Sequence, residues 1–490
     1  MPKPPELTTL RAGWRFDNSY ARLPDRFFSR VNPTPVAAPR LVLFNGSLAQ
    51  TLGLDPAALS SPDAAAHFTG NQIFPGSEPI AQAYAGHQYG NLTRLGDGRA
   101  ILLGEHCTPT GQRFDIQLKG AGRTPYSRGG DGRAALGPML REYVISEAMH
   151  GLGIPTTRSL AVASTGEPVL RERPLPGAVL TRVAASHIRV GSFVYFAALD
   201  DTESLRVLTD HGLRRHFPER VESENPALGL LAGSGERQAS LIAHWMRVGF
   251  VHGVMNTDNM ALSGETIDYG PCAFMDGYDP AAVFSSIDHH GRYAFGQQPG
   301  IAAWNLTRLA EALLPILHPD PDTALALANA ALEAFSASFQ CHWLAAMRAK
   351  LGLFTAEPED AALAEELLRW MHNSRADYTH TFRNLRAIAQ PSAAADTAFT
   401  AWLQRWTERL ARQPQPWPEV AGLMRAHNPA VIPRNHVVEA ALAAASANDL
   451  APLERLLTAL ARPYEEGGQP DELLNPPPAG TPVCRTFCGT

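Results

Sequence analysis

The most specific pattern in this chain is HGVMNTDN at 252–259, followed after a short interval by Asp268-Tyr269-Gly270. It brings three oxygen-bearing side chains, Asp258, Asn259 and Asp268, into one short segment. Mg²⁺ is usually held by one or two such ligands, and nucleotide phosphates and waters complete its octahedron. The segment therefore predicts a metal held by Asn259 and Asp268 beside a bound nucleotide. On these residues alone, an Asx turn in Asn-Thr-Asp-Asn is the structural alternative.

The order of these residues resembles two motifs of protein kinases, the catalytic loop His-Arg-Asp-Leu-x-x-x-Asn and the metal-binding Asp-Phe-Gly. One position differs. Val254 stands where a kinase has the Asp that accepts the proton of the substrate hydroxyl. The metal ligands are kept while this base is replaced, so the chemistry is either lost or rearranged. Asp258, directly beside Asn259, is close enough in sequence to act as the proton acceptor instead.

A lysine and a glutamate upstream complete the kinase-like order. The runs RAILLGE at 99–105 and FDIQLKG at 114–120 predict a β-hairpin that carries Lys119. Glu142 lies in the predicted helix at 138–153, which has Pro near its start and glycines at its end. Kinases hold a strand Lys on the nucleotide phosphates with a helix Glu. Alone, the two are an ordinary strand Lys and a solvated helix Glu, but their position before the metal motif favours the ion pair.

Three further segments suit a polyphosphate, because the N–H groups of glycine-rich loops and the guanidinium fork both bind phosphate oxygens. They are LGDGR at 95–99, GRTPYSRGGDGRAALG at 122–137 and TRVAASHIRVG at 181–191. Each alone is also compatible with an ordinary turn or surface arginines. The residues that they contribute to the predicted nucleotide site are Gly96, Gly98, Arg99, Asp131, Gly132, Arg182 and Arg189.

The distribution of patterns along the chain predicts an α+β protein with an atypical, two-lobed, protein-kinase-like fold. Residues 1–75 are predicted as an N-terminal extension and 76–190, which are strand-rich, as the nucleotide-binding N-lobe. Helical periodicity then dominates, so 191–412 is predicted as a mostly helical C-lobe with the catalytic and metal motifs. Residues 413–490 form a C-terminal helical segment and a Cys-containing tail. The helices predicted beyond 190 cover 237–253, 302–315, 322–350, 359–372, 396–412 and 436–462.

Composition narrows the class of protein. The 490-residue chain is 45% hydrophobic and 18% charged, with a formal net charge of −6. This acidic balance argues against a nucleic-acid partner, and the absence of any apolar run of about 18 residues argues against a membrane span. The N-terminal MPKPPELTTLRAGW resembles neither a secretory signal nor a transit peptide, so we expect a cytoplasmic protein, and a monomer.

The cysteines do not form a disulfide framework. Cys107, Cys272 and Cys341 are scattered, which fits a reducing compartment. Cys484 and Cys488 form a C-x-x-x-C at the C-terminal end. Two lone cysteines cannot complete a zinc site, so the pair is either two tail thiols without a role or a solvent-accessible redox pair.

Together with several longer segments, these motifs resemble the selenoprotein O family, a widespread group of kinase-like proteins. The resemblance extends over essentially the whole chain, and the long motifs are specific to that family. They are YAGHQYGN, LGDGRA, QLKGAGRTPYSRGGDGRA, LREY, SEAMHGLGIPTTRSLA, GFVHGVMNTDNM and IDYGPCAFMD.

The resemblance implies a kinase-like fold that binds ATP in a flipped orientation and transfers AMP to Ser, Thr or Tyr hydroxyls of protein substrates. It implies that Lys119 and Glu142 bind phosphate and that Asp258 is the proton acceptor. Asn259 and Asp268 would hold Mg²⁺ or Mn²⁺. Asp268 and the Gly, Asp and Arg residues of the three phosphate-binding segments would line the nucleotide site.

The resemblance also implies redox control. Many eukaryotic members carry selenocysteine near the C-terminus, where this chain has Cys488. A C-terminal thiol would pair with another cysteine and limit activity, and both Cys484 and Cys272 remain open as the partner.

Three other functions remain open at this point. The first is UMP transfer from UTP, favoured by Mn²⁺. The second is a conventional phosphotransferase with Asp258 as its base. The third, suggested by Val254 and the terminal cysteines, is a non-catalytic, redox-regulated nucleotide-binding scaffold.

Overall fold

A computed structural model describes residues 12–387, 396–478, 480–481 and 485–486. Within these ranges the chain is an α+β protein with one large antiparallel sheet and many helices. The strands are β1 (Phe28–Arg30), β2 (Arg40–Phe44), β3 (Ile80–Gln82), β4 (Ala85–Gln88), β5 (Asn91–Arg94), β6 (Ala100–Cys107), β7 (Arg113–Lys119), β8 (Ala134–Ala135), β9 (Arg158–Leu170), β10 (Pro174–Ala184), β11 (Phe250–Val251) and β12 (Ala273–Phe274).

The helices concentrate after the sheet. They are α1 (Gly46–Thr51), α2 (Pro56–Leu59), α3 (Ala64–Phe68), α4 (Leu136–Gly151), α5 (Val190–Ala197), α6 (Thr202–His216), α7 (Pro226–Val248), α8 (Gln298–Leu317), α9 (Pro321–Lys350), α10 (Asp360–Ser374), α11 (Tyr378–Asn384), α12 (Thr397–Ala411), α13 (Trp417–His427), α14 (Asn435–Ser446), α15 (Ala451–Leu460) and α16 (Asp471–Leu474). None of the helices in the described ranges is both long enough and apolar enough to cross a membrane.

The large sheet has the strand order β1-β3-β6-β7-β10-β9-β2, and β8 pairs with β10. Two of its strands, β1 and β2, come from the first 75 residues of the chain. The short pairs β4–β5 and β11–β12 lie outside this sheet. The β4–β5 hairpin packs on the 3₁₀ turn Thr257–Asn259 and on α5.

Both faces of the sheet are buried. Successive side chains of a strand point to opposite faces, and in the central strands apolar residues occur on each face. Ile116 and Leu118 of β7 pack with α1 and α3 in one hydrophobic core. Leu180 of β10 faces the other way, into the core that contains α4 and α5 to α9. A further core joins α9 to α10, α12 and α13. Glu142 is therefore carried by the helix that covers the second face of the sheet.

The predicted elements are found with changes at their ends. The hairpin predicted from 99–105 and 114–120 is β6–β7, and the helix predicted at 138–153 is α4. The helix predicted at 237–253 begins earlier, at Pro226, because Asn225 caps its N-terminus by accepting from Leu228 N. It ends at Gly249, whose φ of 73° is left-handed.

One long predicted helix is interrupted in the structure. The stretch 436–462 forms two helices, α14 and α15, with a break after Ser446. Asn448 in this break has a φ of 66°, which is incompatible with a continuous helix. The alanine-rich periodicity continued across the break and did not reveal it.

Candidate active site

Three buried cations converge on the carboxylate of Asp268. Lys119 Nζ lies 2.5 Å and Arg182 Nη1 lies 2.8 Å from Asp268 Oδ1. Arg189 Nη1 lies 3.1 Å from Asp268 Oδ2. Glu142 completes the group, since its two oxygens lie 2.6 Å from Lys119 Nζ and 3.2 Å from Arg182 Nη1. We call these five residues the Asp268 cluster.

Strand register explains why residues far apart in sequence meet here. Arg182 on β10 lies directly opposite Gln117 on β7, and Lys119 is two positions further along β7. Alternation along a strand therefore places all three side chains on the face covered by α4. Arg182 Nη2 donates to Gln117 Oε1 at 2.6 Å, which fixes the orientation of the guanidinium.

Asp268 compensates the buried positive charge. Its backbone φ of 64° is uncommon for a residue other than glycine. Burial by itself raises the pKa of Asp268, but the charges of Arg182, Lys119 and Arg189 outweigh burial and hold this pKa well below its ordinary value of 3.8. The carboxylate is therefore ionised at neutral pH. Within the cluster three cations face two carboxylates, and Asp97 adds a more distant carboxylate at Arg189, so the cations are largely compensated until an anionic ligand competes for them.

Asp258 lies beside this cluster. Its backbone oxygen accepts from Arg189 Nη1 at 2.8 Å. The side chain is buried, and its Oδ1 has no hydrogen-bond partner among the described residues. Burial, opposed by the charge of Arg189, raises the pKa of Asp258 to about 6. A carboxylate with such a pKa is ionised at neutral pH and basic enough to accept a proton.

Two hydrogen bonds from side chains to backbone oxygens stabilise residues 252–259. His252 Nε2 lies 2.9 Å from the Ile267 oxygen, which holds Asp268 next to this segment. Asn259 Nδ2 donates to the Val254 oxygen at 2.9 Å. This bond fixes the amide group through its nitrogen and not through Oδ1, while the Val254 side chain has no group that could act as a base.

Three residues of the site were not among the sequence predictions. Asp97 Oδ1 lies 3.8 Å from Arg189 Nη2, and Asp97 Oδ2 accepts from the Gln82 backbone N–H at 3.0 Å. Burial raises the pKa of Asp97. The Arg189 guanidinium stacks 4.5 Å from the Tyr84 ring centroid. The third residue is Gln117. The sequence carried a signal for two of these residues. Asp97 is an acidic residue between two glycines, and Gln117 lies two positions before Lys119, on the same side of the predicted strand.

Gly96 and Gly98 bring the chain close to Tyr126. A Cβ on Gly96 would lie 2.5 Å from Tyr126 Cγ, and one on Gly98 would lie 2.8 Å from the Tyr126 oxygen. Only glycine fits at both positions. Arg99 follows directly, and its Nη1 is buried without a hydrogen-bond partner in the described part of the chain.

Asp131 and Gly132 lie in a surface loop apart from these contacts. Asp131 Oδ2 pairs with Arg171 Nη1 at 2.9 Å, and neither residue bonds to the described side chains of the Asp268 cluster. Gly132 accommodates a close approach, since a Cβ there would lie 2.1 Å from the Gly122 oxygen. Their place in a nucleotide site stays a prediction.

Of the redox candidates, Cys272 is buried with a free thiol, while Cys484 and Cys488 lie outside the described residues. Burial raises the pKa of the Cys272 thiol to about 12. Thr486, between the two tail cysteines, donates from Oγ1 to the Pro271 oxygen at 2.7 Å. Thr486 is thus held beside the backbone of Cys272.

The donor set fits a nucleotide phosphate with a hard divalent ion. Within the described ranges, no three or more His, Cys, Asp or Glu side chains form a metal site. Asn259 and Asp268 alone match Mg²⁺ or Mn²⁺ that takes its other ligands from phosphate and water. Beside the pair, Arg189 Nε and Asp258 Oδ1 are buried without hydrogen-bond partners in these ranges, and such atoms are costly unless a ligand satisfies them.

The chain is similar over nearly its whole length to known proteins. A family model described as "Protein adenylyltransferase SelO" matches residues 11–461. "Protein nucleotidyltransferase YdiU" of Syntrophotalea carbinolica is 58% identical over 491 residues, which cover 100% of both chains. The protein of the same name from Geobacillus kaustophilus is 60% identical over 484 residues, which cover 98% of this chain and 100% of the relative.

These matches define an enzyme of the nucleotidyltransferase class. Within that class, the chain belongs to the protein adenylyltransferase SelO family.

Proposed function

We propose that this enzyme transfers AMP from ATP to Ser, Thr or Tyr hydroxyls of protein substrates and releases pyrophosphate. The observation that carries the proposal is the pairing of the Asp268 cluster with Asp258. Buried cations suited to a polyphosphate and a carboxylate with a raised pKa lie side by side, while Val254 occupies the position of a kinase base. The kinase-like, two-lobed organisation and the flipped orientation of ATP belong to this proposal.

Binding of the triphosphate would redistribute the charges of the cluster. Lys119, Arg182 and Arg189 now share the carboxylate of Asp268. Phosphate oxygens are better partners for guanidinium forks, because they accept two parallel hydrogen bonds and carry more charge. We propose that these cations turn to the phosphates and free the oxygens of Asp268, with Glu142 holding Lys119 in place.

Asn259 and Asp268 would then hold Mg²⁺ or Mn²⁺. When bound, the ion neutralises charge on the phosphate oxygens. Arg99, whose Nη1 has no partner among the described residues, and Asp97 beside Arg189 would complete the polar lining. Gly96, Gly98, Asp131 and Gly132 would contact the outer part of the nucleotide.

The reversed nucleotide presents its α-phosphorus to the acceptor. The acceptor oxygen forms a bond to this phosphorus, and the bond from phosphorus to the oxygen that bridges the α- and β-phosphates breaks. The departing pyrophosphate carries the electron pair, and Arg182 and Arg189 stabilise its growing charge electrostatically. The hydroxyl proton passes to Asp258, whose pKa of about 6 permits it to accept the proton at neutral pH.

Redox control by the C-terminal tail is part of the same proposal. The buried Cys272 thiol, with its raised pKa, is a poor nucleophile. A tail thiolate of Cys484 or Cys488, once oxidised to a sulfenic acid by a peroxide, would condense with Cys272 and release water. The anchoring of Thr486 at Pro271 supports Cys272 as a partner. Peptide mapping after peroxide treatment checks this, and a bond between Cys484 and Cys488 would contradict it.

The test of the function uses ATP labelled at the α- or at the γ-phosphate, with a mixture of proteins as acceptor. We expect α-label on protein hydroxyls and stoichiometric pyrophosphate. Label from the γ-phosphate alone would identify a conventional phosphotransferase, and preference for α-labelled UTP would identify UMP transfer. Nucleotide binding without any label under reducing conditions would identify a scaffold. Asp268→Ala should abolish the label for each of the three transferase activities; a scaffold transfers no label to begin with.

A further inference from the structure

The β4–β5 hairpin lies against the 3₁₀ turn Thr257–Asn259, which carries the proposed base. His87 N donates to Thr257 Oγ1 at 2.9 Å, and Gln88 Nε2 lies 3.5 Å from Asp258 Oδ2. A Cβ on Gly86 would lie only 2.1 Å from Asp258 Oδ1. A ligand on the outer side of this hairpin would therefore lie one strand away from the proposed base.

Two arginines and a tryptophan line that outer side. The His87 ring meets the Trp304 ring edge to face, with centroids 5.2 Å apart. The guanidinium carbons of Arg292 and Arg308 lie 4.8 and 4.9 Å from the Trp304 ring centroid. Arg308 follows Trp304 by one turn of α8, so both occupy one face of that helix. Arg292 also approaches the hairpin turn, where a Cβ on Gly90 would lie 3.7 Å from its Cζ.

The charge of this patch is only partly compensated. Arg308 pairs at 2.7 Å with Glu311, whose side chain is 50% exposed, so this pair is weak. Arg292 forms no ion pair with a carboxylate in the described part of the chain, and the Nε atoms of both arginines lack hydrogen-bond partners there. A guanidinium that stacks on an indole keeps its edge free for a carboxylate.

A net charge of −6 makes such a patch informative. An acidic partner would be repelled by the molecule as a whole, so only a local basic surface can direct it to one place. Resting on the proposed function, we propose that Arg292, Trp304 and Arg308 bind an acidic segment of the acceptor protein. In the acceptor, the Ser, Thr or Tyr to be modified would be adjacent to a Glu or Asp. Binding of that acidic residue to the patch would bring the hydroxyl group towards Asp258. We call these three residues the acceptor patch.

Peptide binding tests the acceptor patch without requiring catalysis. Two fluorescent peptides share one Ser and differ only in whether Glu or Gln flanks it. We expect the Glu peptide to bind the wild-type enzyme more tightly and to weaken as salt is raised. The variant Arg292→Gln/Arg308→Gln should bind the Glu peptide about 10-fold more weakly and the Gln peptide unchanged.

The control is Arg462→Gln. Arg462 has the same i,i+3 pairing, with Glu465, and none of the described ring contacts, so its loss should leave peptide binding unchanged. The single variant Arg308→Gln, at a side chain 27% exposed, covers the case in which the double variant fails to fold.

Three results would overturn the acceptor patch. The first is equal affinity of the wild-type enzyme for the two peptides, and the second is equal affinity of wild type and variant for the Glu peptide. The third is a loss of ATP affinity in the variant, which would assign the arginines to the nucleotide phosphates. Failure of the proposed function would be seen separately, as absence of α-label with any protein acceptor.

Discussion

Asp258 combines a buried oxygen that has no hydrogen-bond partner among the described residues with a position beside Arg189, and its pH dependence is its clearest signature. Since its pKa is raised from 3.8 to about 6, transfer should fall as the pH drops below about 6 and the carboxylate becomes protonated. Asp258→Asn should lower kcat by about 10²- to 10⁴-fold, the usual contribution of a general base. Rates of α-label transfer from pH 5 to 8 check this. A wild-type rate that stays constant down to pH 5 would contradict it.

The same residue should reduce the stability of the fold. The folded protein binds this proton more tightly than the unfolded chain, so the free energy of unfolding decreases as the pH rises between 3.8 and about 6. Asp258→Asn removes the buried charge. At pH 8 the variant should be more stable than wild type, by an upper limit on the order of 3 kcal/mol. Urea unfolding at pH 4 and pH 8 measures the difference, which should be small at pH 4.

Two buried lysines provide a matched comparison. Lys119 lies between Glu142 and Asp268, whereas Lys350 contacts the rings of Tyr378 and Phe382 and has no described ion pair. Burial lowers the pKa of Lys350 well below 10.5, so its amine destabilises the fold when the unfolded chain is protonated.

Lys119→Met should lower transfer by about 10²- to 10³-fold, as expected for one preorganised charge. Lys350→Met should retain full activity and raise the free energy of unfolding by about 1–3 kcal/mol. Transfer assays and urea unfolding of both variants check the pair. Equal activity of the two variants would remove Lys119 from the proposed mechanism.

At the scale of elements, the β4–β5 hairpin positions the catalytic turn. Gly86→Ala would press a methyl group against Asp258 Oδ1, at 2.1 Å, and against Leu95 Cδ1, at 2.5 Å. A displacement of this size should lower transfer by about 10²-fold while ATP affinity is kept. Gly137→Ala, in α4 with no atom of the described neighbouring residues within 4 Å of the new Cβ, is the control and should keep activity and gain stability. Activity of Gly86→Ala within twofold of wild type would contradict a positioning role.

At the scale of the whole molecule, the Asp268 cluster joins β7, β10, α4 and the segment after β11. Ligands that bind only the folded state stabilise it, by about 2.7 kcal/mol at a hundredfold excess over Kd. Because the cations of the cluster suit several phosphates, ATP should raise Tm more than AMP at equal concentration. Thermal unfolding of wild type and Lys119→Met checks this, and the ATP shift should be largely lost in the variant. An AMP shift as large as that of ATP would contradict the assignment of the cluster to the polyphosphate.

Local patterns predicted the elements and the residues with chemistry, because helix caps, strand alternation and the Asn259–Asp268 spacing are short-range features. The long arrays of helices and the β6–β7 hairpin followed from the same patterns. The break between α14 and α15 did not, since alanine periodicity carries no signal for a left-handed Asn448.

The family, the α+β class and the residue types of the candidate site could be predicted from the chain, since these lie in contiguous motifs. Which charges meet depends on the folded arrangement. Lys119 and Asp268 are 149 positions apart, and their contact depends on how the sheet packs against the segment that carries Asp268. The β4–β5 hairpin lies against Asp258, and Trp304 with Arg292 and Arg308 lies on the outer side of that hairpin. Both placements likewise depend on packing between elements that are distant in sequence. Sequence spacing does not encode such distances, because burial and strand register set them after the chain has folded.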